Sequence, residues 1–311
     1  MNVHNKTLQT MEQVAFQILL AFQVGVGTVA NILLFVHNFS SVFMDSQLRP
    51  IQVLLMNLAV ANAFNLFLYA DPNHFPVFVP RKPLTDCSCK FRYFLHLVAR
   101  STNMCSTCAL STYQFVTLVS SNSGKAMVRG RTSNVLSHSC FSCWLFSVLY
   151  NAYIPIKVTG PQNTHNETDS KSKRVCSTSG FNVGMGFLRF AHDALFISIM
   201  VWTSVSMVIL LNRHYQRLKY IYTANHNHRD YPETRATHTI VMLVITFVSF
   251  YLLDCICTSF HISFVDSRFW LRDIIKVLAS NFPTTSPLLL LLRDPKDPCS
   301  VLFSCWKSHP R

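Results

Sequence analysis

The sequence predicts an all-α membrane protein, a seven-transmembrane-helix bundle with its N-terminus outside the cell. Half of the 311 residues are hydrophobic and only 13% are charged, which is too apolar for a soluble globular protein of this size. The apolar residues also arrive in blocks of roughly twenty, long enough at about 1.5 Å per residue to cross a hydrocarbon core about 30 Å thick. Because no block alternates in the manner of barrel strands, we expect helices.

Seven apolar blocks follow one another, and we expect a single domain over residues 1–311 with its bundle at residues 14–292. In order, they are Val14–Val36, Pro50–Tyr69, Phe91–Val119, Asn134–Ile154, Gly184–Leu211, Thr237–Val265 and Leu271–Leu292. The fourth block begins with polar residues, so an interfacial helix, with six crossings in all, is an alternative. Pro283 and Pro287 interrupt the seventh block, and transmembrane helices tolerate such kinks when their neighbours supply hydrogen bonds.

Two features place the N-terminal segment, residues 1–13, outside and the tail, residues 293–311, in the cytoplasm. Lys and Arg are slightly more numerous in the segments that this orientation makes cytoplasmic. Glycosylation motifs at Asn5 and Asn166 fall on the same side of a seven-helix bundle, and we predict that both are used. A third motif, at Asn38, would face the cytoplasm and stay unmodified. The N-terminal segment has no basic region or cleavage site typical of a signal peptide, so the first helix would act as the insertion signal.

Several cysteines lie outside the predicted helices. Cys87 and Cys89 precede the third helix and Cys176 lies in the long outer loop, in a compartment where disulfides persist. We predict a disulfide between Cys89 and Cys176, with Cys87 as the rival partner. Cys299 and Cys305, just past the seventh helix, stand where lipidation is plausible.

Four further cysteines form two short pairs inside the third and fourth blocks. Cys105-Ser-Thr-Cys108 and Cys140-Ser-Phe-Cys143 have the spacing of zinc knuckles, but 31 residues separate them and both lie in apolar helices. We interpret these cysteines as small residues that pack between helices, and we expect no metal and no cofactor.

Ionisable residues concentrate in the outer halves of the helices. Such groups are costly in a membrane, so by default they face the bundle interior or water. The three- and four-residue spacing of the third helix stacks its polar residues on one face, and the inner halves carry no such charges. This pattern predicts a cup that holds a largely apolar ligand within aromatic walls. The residues predicted to line it are Tyr93, His96, Arg100, His192, Asp193, Phe250, Tyr251 and Asp254.

Each of these groups also has a structural interpretation. An ion pair between Arg100 and Asp254 would need no ligand, and Asp193 could pair with its neighbour His192 or with Arg189. For the outermost charges, the alternative is a position at the lipid headgroups, which would apply to Arg189, Asp273 and Lys276.

The residues further resemble a known family. Residues 235–251 closely resemble the sixth-helix signature of vomeronasal type-1 pheromone receptors, and residues 48–50 with 57–62 are similar to that family's second helix. Supporting matches are Cys89-Lys90, Phe94-Leu95-His96, the motif at Asn166 before Cys176, and Ser286-Pro287. The resemblance covers essentially the whole chain.

This resemblance implies a G-protein-coupled receptor of the plasma membrane that detects chemical signals in vomeronasal neurons through an inhibitory-class heterotrimeric G protein. The family lacks the acidic-Arg-Tyr triplet that usually closes the third helix, and Val116-Thr117-Leu118-Val119 stands there in this chain. Residues 120–133 depart from the family pattern. The basic cytoplasmic residues predicted to face the G protein or anionic lipid are Arg129, Arg131, Arg217, Lys219 and Arg235.

The expected mechanism is a population shift, in which a ligand binds one arrangement of the bundle more tightly and the cytoplasmic ends move as the helices repack. Pro287, Asn31, Asn62 and Ser286 are predicted pivots. A bitter-taste-like chemoreceptor is the alternative within receptors. A channel or transporter would need polar residues continuing inward, and an enzyme would need a motif such as His-Glu-x-x-His, so we expect neither. Nucleic acid is not an expected partner.

Overall fold

The structure is a computed structural model in which nearly every described residue is helical. It describes residues 2–45, 50–70, 85–122, 132–158, 183–221, 241–253, 256 and 269–291. The helices are α1 (Asn2–Asp45), α2 (Pro50–Tyr69), α3 (Asp86–Asn122), α4 (Thr132–Asn151), α5 (Ile154–Lys157), α6 (Val183–Ile221), α7 (Val241–Leu253) and α8 (Phe269–Leu291). A helix lies in each predicted block, and α5 is a single turn that follows α4. The prediction of a helical membrane bundle is confirmed.

The outer surface of the bundle is apolar. Phe67, Phe187 and Trp202 are each at least 71% exposed, as expected for side chains in contact with lipid tails. Within the residues that the structure describes, five stretches are long and apolar enough to cross a membrane, and His138–Lys157, from α4 through α5, is one of them. The fourth block is therefore long enough to cross, which disfavours an interfacial helix there. The described part of α7, Val241–Leu253, is apolar but shorter.

Several helices extend past the predicted block ends. Helix α1 begins well before Val14 and continues to Asp45, and α6 continues beyond Leu211 to Ile221. The predicted ends followed the limit of apolar sequence, whereas a helix can continue into water as long as its backbone hydrogen bonds are made.

Helix α3 occupies the centre of the bundle and contacts α2, α4, α5 and α6, whereas α8 packs against α1 and α2. The main hydrophobic core includes buried side chains of α1 and α2 as well as of α3, α6, α7 and α8. Met104, Met200, Leu243 and Phe282 contribute to it from the last four of these helices, and each is at most 5% exposed. Because α3 packs against several helices along its length, residues on the same face of α3 contact different helices.

A disulfide between Cys105 and Cys143 joins α3 to α4, with the two Cα atoms 5.7 Å apart. One cysteine from each predicted pair takes part, while Cys108 and Cys140 remain free. The interpretation of all four as packing residues therefore needs correction for the two that form the bridge. The bridge forms because α3 and α4 face each other at this level, which the spacing within each pair does not reveal.

Candidate functional site

A buried acid on α6 is the centre of the charged groups in the bundle. Asp193 is 6% exposed, and one of its carboxylate oxygens lies 2.9 Å from Nδ1 of His192. The other oxygen accepts a hydrogen bond from the hydroxyl of Tyr251 on α7 and lies 3.9 Å from a guanidinium nitrogen of Arg100 on α3. We call Arg100, His192, Asp193 and Tyr251 the outer cluster. It ties α3, α6 and α7 together through one carboxylate.

Arg100 also contacts an aromatic ring in the outer cluster. Its guanidinium carbon lies 5.0 Å from the centre of the Tyr251 ring, within the range of a cation–π interaction. Tyr251 thus meets Arg100 through its ring and Asp193 through its hydroxyl. A charged side chain at this depth is stabilised by such partners, because water is scarce.

His192 is held on its other side by aromatic residues of α4 and α6. Its ring stacks on that of Tyr150 with the centres 4.2 Å apart, and Phe146 and Phe196 flank it. Its Nε2 lies 3.4 Å from the hydroxyl of Ser101. These contacts fix the ring so that Nδ1 faces Asp193. The pairing of His192 with Asp193, which was one structural interpretation of the sequence, is therefore present.

Two predicted site residues of α3 lie apart from the outer cluster. His96 shares a hydrogen bond of 2.6 Å with the hydroxyl of Tyr69 on α2, and the two rings meet edge to face. Tyr93 packs in a small hydrophobic cluster with Cys89 and Ile154, next to α5. The face predicted on α3 is therefore divided between α2, α5 and the outer cluster.

A cavity of about 50 Å³ lies beneath Arg100, between α2, α3, α7 and α8. It is smaller than the several hundred Å³ typical of pockets that enclose a drug-sized ligand. Its lining residues are Asn65, Arg100, Asn103, Met104, Phe247, Phe250, Tyr251, Leu278, Ala279, Phe282 and Pro283. Arg100, Phe250 and Tyr251 were predicted to line a site.

Most of the lining was not predicted. Asn103 lies three residues beyond Arg100 on α3, so helical spacing could have extended the predicted face to it. Asn65 and Phe282 gave no signal, because an uncharged residue in an apolar helix is ordinarily a packing residue. Their place in the cavity depends on how α2 and α8 approach α3.

Other predicted residues lie outside the part of the chain that the structure describes. They are Asp254, Cys176, Asn166, Arg129, Arg131 and Arg235. Asn5, Arg217 and Lys219 belong to described helices, but their side chains are not described. Cys89 is disulfide-bonded and Cys87 is free, while pairing with Cys176 stays a prediction.

A second group of buried polar residues joins α1, α2 and α8 without any charge. Pro287 has no N–H, so the carbonyl of Pro283 lacks its usual helical partner, and Asn31 donates to that carbonyl at 2.9 Å. Asn62 donates to the Ser286 hydroxyl at 2.8 Å. We call Asn31, Asn62, Pro283 and Ser286 the inner network. Polar residues thus continue inward from the outer cluster, but the inner ones are neutral and form hydrogen bonds between helices.

A related contact lies on the other side of α2. Asn57 donates to the hydroxyl of Ser106 at 2.8 Å and accepts from the indole nitrogen of Trp144 at 2.9 Å. One amide therefore connects α2, α3 and α4. Interhelical hydrogen bonds of this kind are typical of packed membrane bundles.

The sequence pattern of the vomeronasal organ pheromone receptor family matches residues 14–298. The chain belongs to this family. Vomeronasal type-1 receptor 4 of Pongo pygmaeus is 32% identical over 92% of this chain and 95% of its own length, and that of Homo sapiens matches equally. Vomeronasal type-1 receptor 1 of Gorilla gorilla gorilla is 30% identical over 88% of this chain and 78% of its own length.

Membership in the vomeronasal type-1 receptor family confirms the resemblance seen in the sequence. The chain is a multi-pass membrane protein of the G-protein-coupled receptor class, with a chemosensory role. A receptor of this class has a ligand on one face and a G protein on the other. The outer cluster and the cavity are the groups from which a ligand site can be built.

Proposed function

We propose that the chain is a vomeronasal chemosensory receptor that binds a small, largely apolar ligand in the outer half of the bundle, next to Arg100, Asp193 and Tyr251. The observation that carries the proposal is the outer cluster itself. It draws a cation, an acid and an aromatic ring from three helices to one point directly above a cavity. A change in any of these contacts alters how α3, α6 and α7 pack.

The weakest contact of the outer cluster is the natural point of entry for a ligand. The distance of 3.9 Å between Arg100 and Asp193 is longer than a hydrogen bond, whereas Asp193 lies 2.9 Å from His192. A polar group of the ligand can therefore approach Arg100 without displacing the shorter contact. The aromatic rings of Phe250 and Tyr251 would contact its apolar body.

The small cavity supports activation by population shift. A volume of about 50 Å³ leaves no room for a whole ligand unless the helices around it separate. A ligand that fits only when the helices are separated stabilises the separated arrangement over the closed one. The size of this effect is the difference in the ligand's affinity for the two arrangements. The inner network lies beneath the cavity and supplies hydrogen bonds that can change partner.

The cytoplasmic partner is proposed to be a heterotrimeric G protein of the inhibitory class. Helix α6 continues about three turns beyond Leu210, where its apolar stretch ends. This extension carries Arg213, which is exposed, together with Arg217 and Lys219. A basic helix end supports docking of a protein partner next to anionic lipid.

The proposal is tested with the Arg100→Ala variant in cells that express a calcium-coupled reporter and are exposed to fractions of animal secretions. We expect loss of the response when the variant and the unmodified receptor are compared at matched surface expression, because the variant removes the cation above the cavity. Lys90→Ala is the matched control. Lys90 is a cation of the same helix, paired with Asp86 at 2.7 Å and about 15 Å further out.

A response of the Arg100→Ala variant equal to that of the unmodified receptor would contradict the proposed site. The G-protein class is tested separately with pertussis toxin, which inactivates inhibitory-class α subunits. We expect the toxin to abolish the response through endogenous G proteins. A response that the toxin leaves intact would contradict the inhibitory class alone.

A further inference from the structure

Two buried amides line the cavity beneath Arg100. Asn65 of α2 is 5% exposed and Asn103 of α3 is 4% exposed. Among the residues that the structure describes, neither side-chain oxygen has a hydrogen-bond partner. Burying a polar atom without a partner is costly, because the atom gives up its hydrogen bonds to water, so two such atoms in one cavity require an explanation.

A proline inside α8 adds a third acceptor to the same wall. Pro283 has no N–H, so the carbonyl oxygen of Ala279, one turn earlier, lacks the helical hydrogen bond that it would otherwise accept. Both residues line the cavity. Pro287 leaves the carbonyl of Pro283 without its helical partner in the same way, and there Asn31 provides the donor. For Ala279, a donor can approach from the cavity.

We infer that Asn65 and Asn103 form a polar subsite at the floor of the ligand site, which takes a neutral hydrogen-bond donor, a hydroxyl group, at the end of an otherwise apolar ligand. The inference rests on the proposed function and adds the chemistry of the ligand's buried end. A hydroxyl placed here donates to one amide oxygen and accepts from the amide nitrogen of the other.

Charged groups fit this position less well than a hydroxyl. An ammonium would lie next to the guanidinium of Arg100, about one helical turn above Asn103, and like charges repel strongly where water is scarce. A carboxylate has no proton to donate, so both amide oxygens would stay without a hydrogen-bond partner. The remaining lining is apolar, with Met104 and Phe247 among it, which suits the hydrocarbon next to the hydroxyl.

The experiment uses the full chain, purified in lipid nanodiscs, and three probes of one ring size: cyclohexanol, cyclohexanone and cyclohexane. Thermal unfolding is measured at equal probe concentrations in the lipid. Cyclohexanol is expected to raise Tm by at least about 2 °C more than cyclohexanone, because only the alcohol offers a donor. Cyclohexane has no polar group, so it reports the effect of the hydrocarbon ring alone, on the bilayer and in the cavity.

The variants assign the effect to the two amides. In the Asn65→Leu/Asn103→Leu variant, the advantage of cyclohexanol should disappear. The matched control is Asn38→Leu, since Asn38 is 5% exposed but bonds to the Leu34 carbonyl of its own helix, away from the cavity. Asn103→Ala alone, expected to reduce the advantage at least by half, serves if the double variant does not accumulate.

Equal stabilisation by cyclohexanone and cyclohexanol would overturn the inference, as would an alcohol effect that survives in the double variant. If water occupies the cavity and satisfies the two amide oxygens, cyclohexanol and cyclohexanone will raise Tm equally. Because Tm reports binding without signalling, these outcomes are separate from a failed cellular response. A Tm increase specific to the alcohol, together with no calcium response in the cellular assay, would support the subsite and contradict the proposed receptor mechanism.

Discussion

The outer cluster and the inner network hold the same bundle together by different chemistry. The outer cluster contains three ionisable partners around one carboxylate, and its Arg100 to Asp193 contact is long at 3.9 Å. The inner network contains only neutral groups with hydrogen bonds of 2.8 to 2.9 Å. The charged region can be altered by a polar ligand, whereas in the neutral region the amide nitrogens of Asn31 and Asn62 already donate to α8.

This difference suggests a division of work between the two depths. A buried charge pair contributes little net stability but is sensitive to any group that approaches it. Neutral interhelical hydrogen bonds are modest and nearly interchangeable, so they tolerate a small shift of the helices. We therefore expect charge-free changes in the outer cluster to alter the EC50 for the ligand, and changes in the inner network to alter stability and the maximal response while the EC50 stays unchanged.

The largest effect is expected from breaking the outer cluster on one side. Asp193→Leu removes the carboxylate that contacts Arg100, His192 and Tyr251 at once, and removal of one partner of a buried ion pair costs about 3–5 kcal/mol. We expect a large fall in surface expression and in the Tm of the purified receptor. The Arg100→Leu/Asp193→Leu variant should recover both, because a charge-free pair avoids the cost of desolvation. Equal instability of the single and double variants would contradict this.

The sequence predicts the outer cluster better than it predicts the cavity. Arg100, His192, Asp193 and Tyr251 stand out because ionisable and hydroxyl groups are rare in membrane helices. Their mutual contacts depend on how the helices are rotated, which residue spacing along one helix does not contain. For the same reason, sequence could not show that Cys105 faces Cys143.

The seven helices themselves follow from the sequence because lipid requires every crossing to be an apolar run of sufficient length. Helix ends do not follow from that rule, since α1 and α6 continue into surroundings where apolarity is no longer required. Asn65 and Asn103 were missed because a neutral amide has the same appearance in a packing contact as in a ligand site.

A close helix contact next to the inner network gives the second effect. A Cβ added at Gly27 would lie 2.7 Å from Leu66 Cδ1 and 3.1 Å from the Thr284 backbone, so Gly27→Ala must push α1 from α8. We expect a loss of about 1–3 kcal/mol of stability, measured as a lower Tm, with the EC50 unchanged. Gly25→Ala is the control, because nothing lies within 4 Å of a Cβ there. Equal effects of the two substitutions would contradict the packing described.

The inner network itself is tested by Asn31→Leu. The variant removes the donor to the Pro283 carbonyl, and interhelical hydrogen bonds of this kind are worth about 1 kcal/mol. We expect a small decrease in Tm and a changed maximal response, while the EC50 stays near that of the unmodified receptor. A shift in EC50 as large as that of an outer-cluster variant would remove the distinction between the two depths.

The smallest effect is expected at the outer end of α8. Lys276 pairs with Asp273 at 2.9 Å, one turn away and outside the outer cluster. Such a local pair contributes about 0.5 kcal/mol, so Lys276→Ala should leave Tm and response almost unchanged. A lost response at normal surface expression would place Lys276 in the ligand site and extend the cluster outward.

The most direct test of the account is the concentration–response curve of the Arg100→Leu/Asp193→Leu variant at matched surface expression. If the outer cluster exists to bind ligand, this well-folded, charge-free receptor will need at least about tenfold more ligand than the unmodified receptor, the equivalent of losing about 1.4 kcal/mol of binding. If the cluster only holds the helices together, the curve will coincide with that of the unmodified receptor, and the proposed ligand site is wrong.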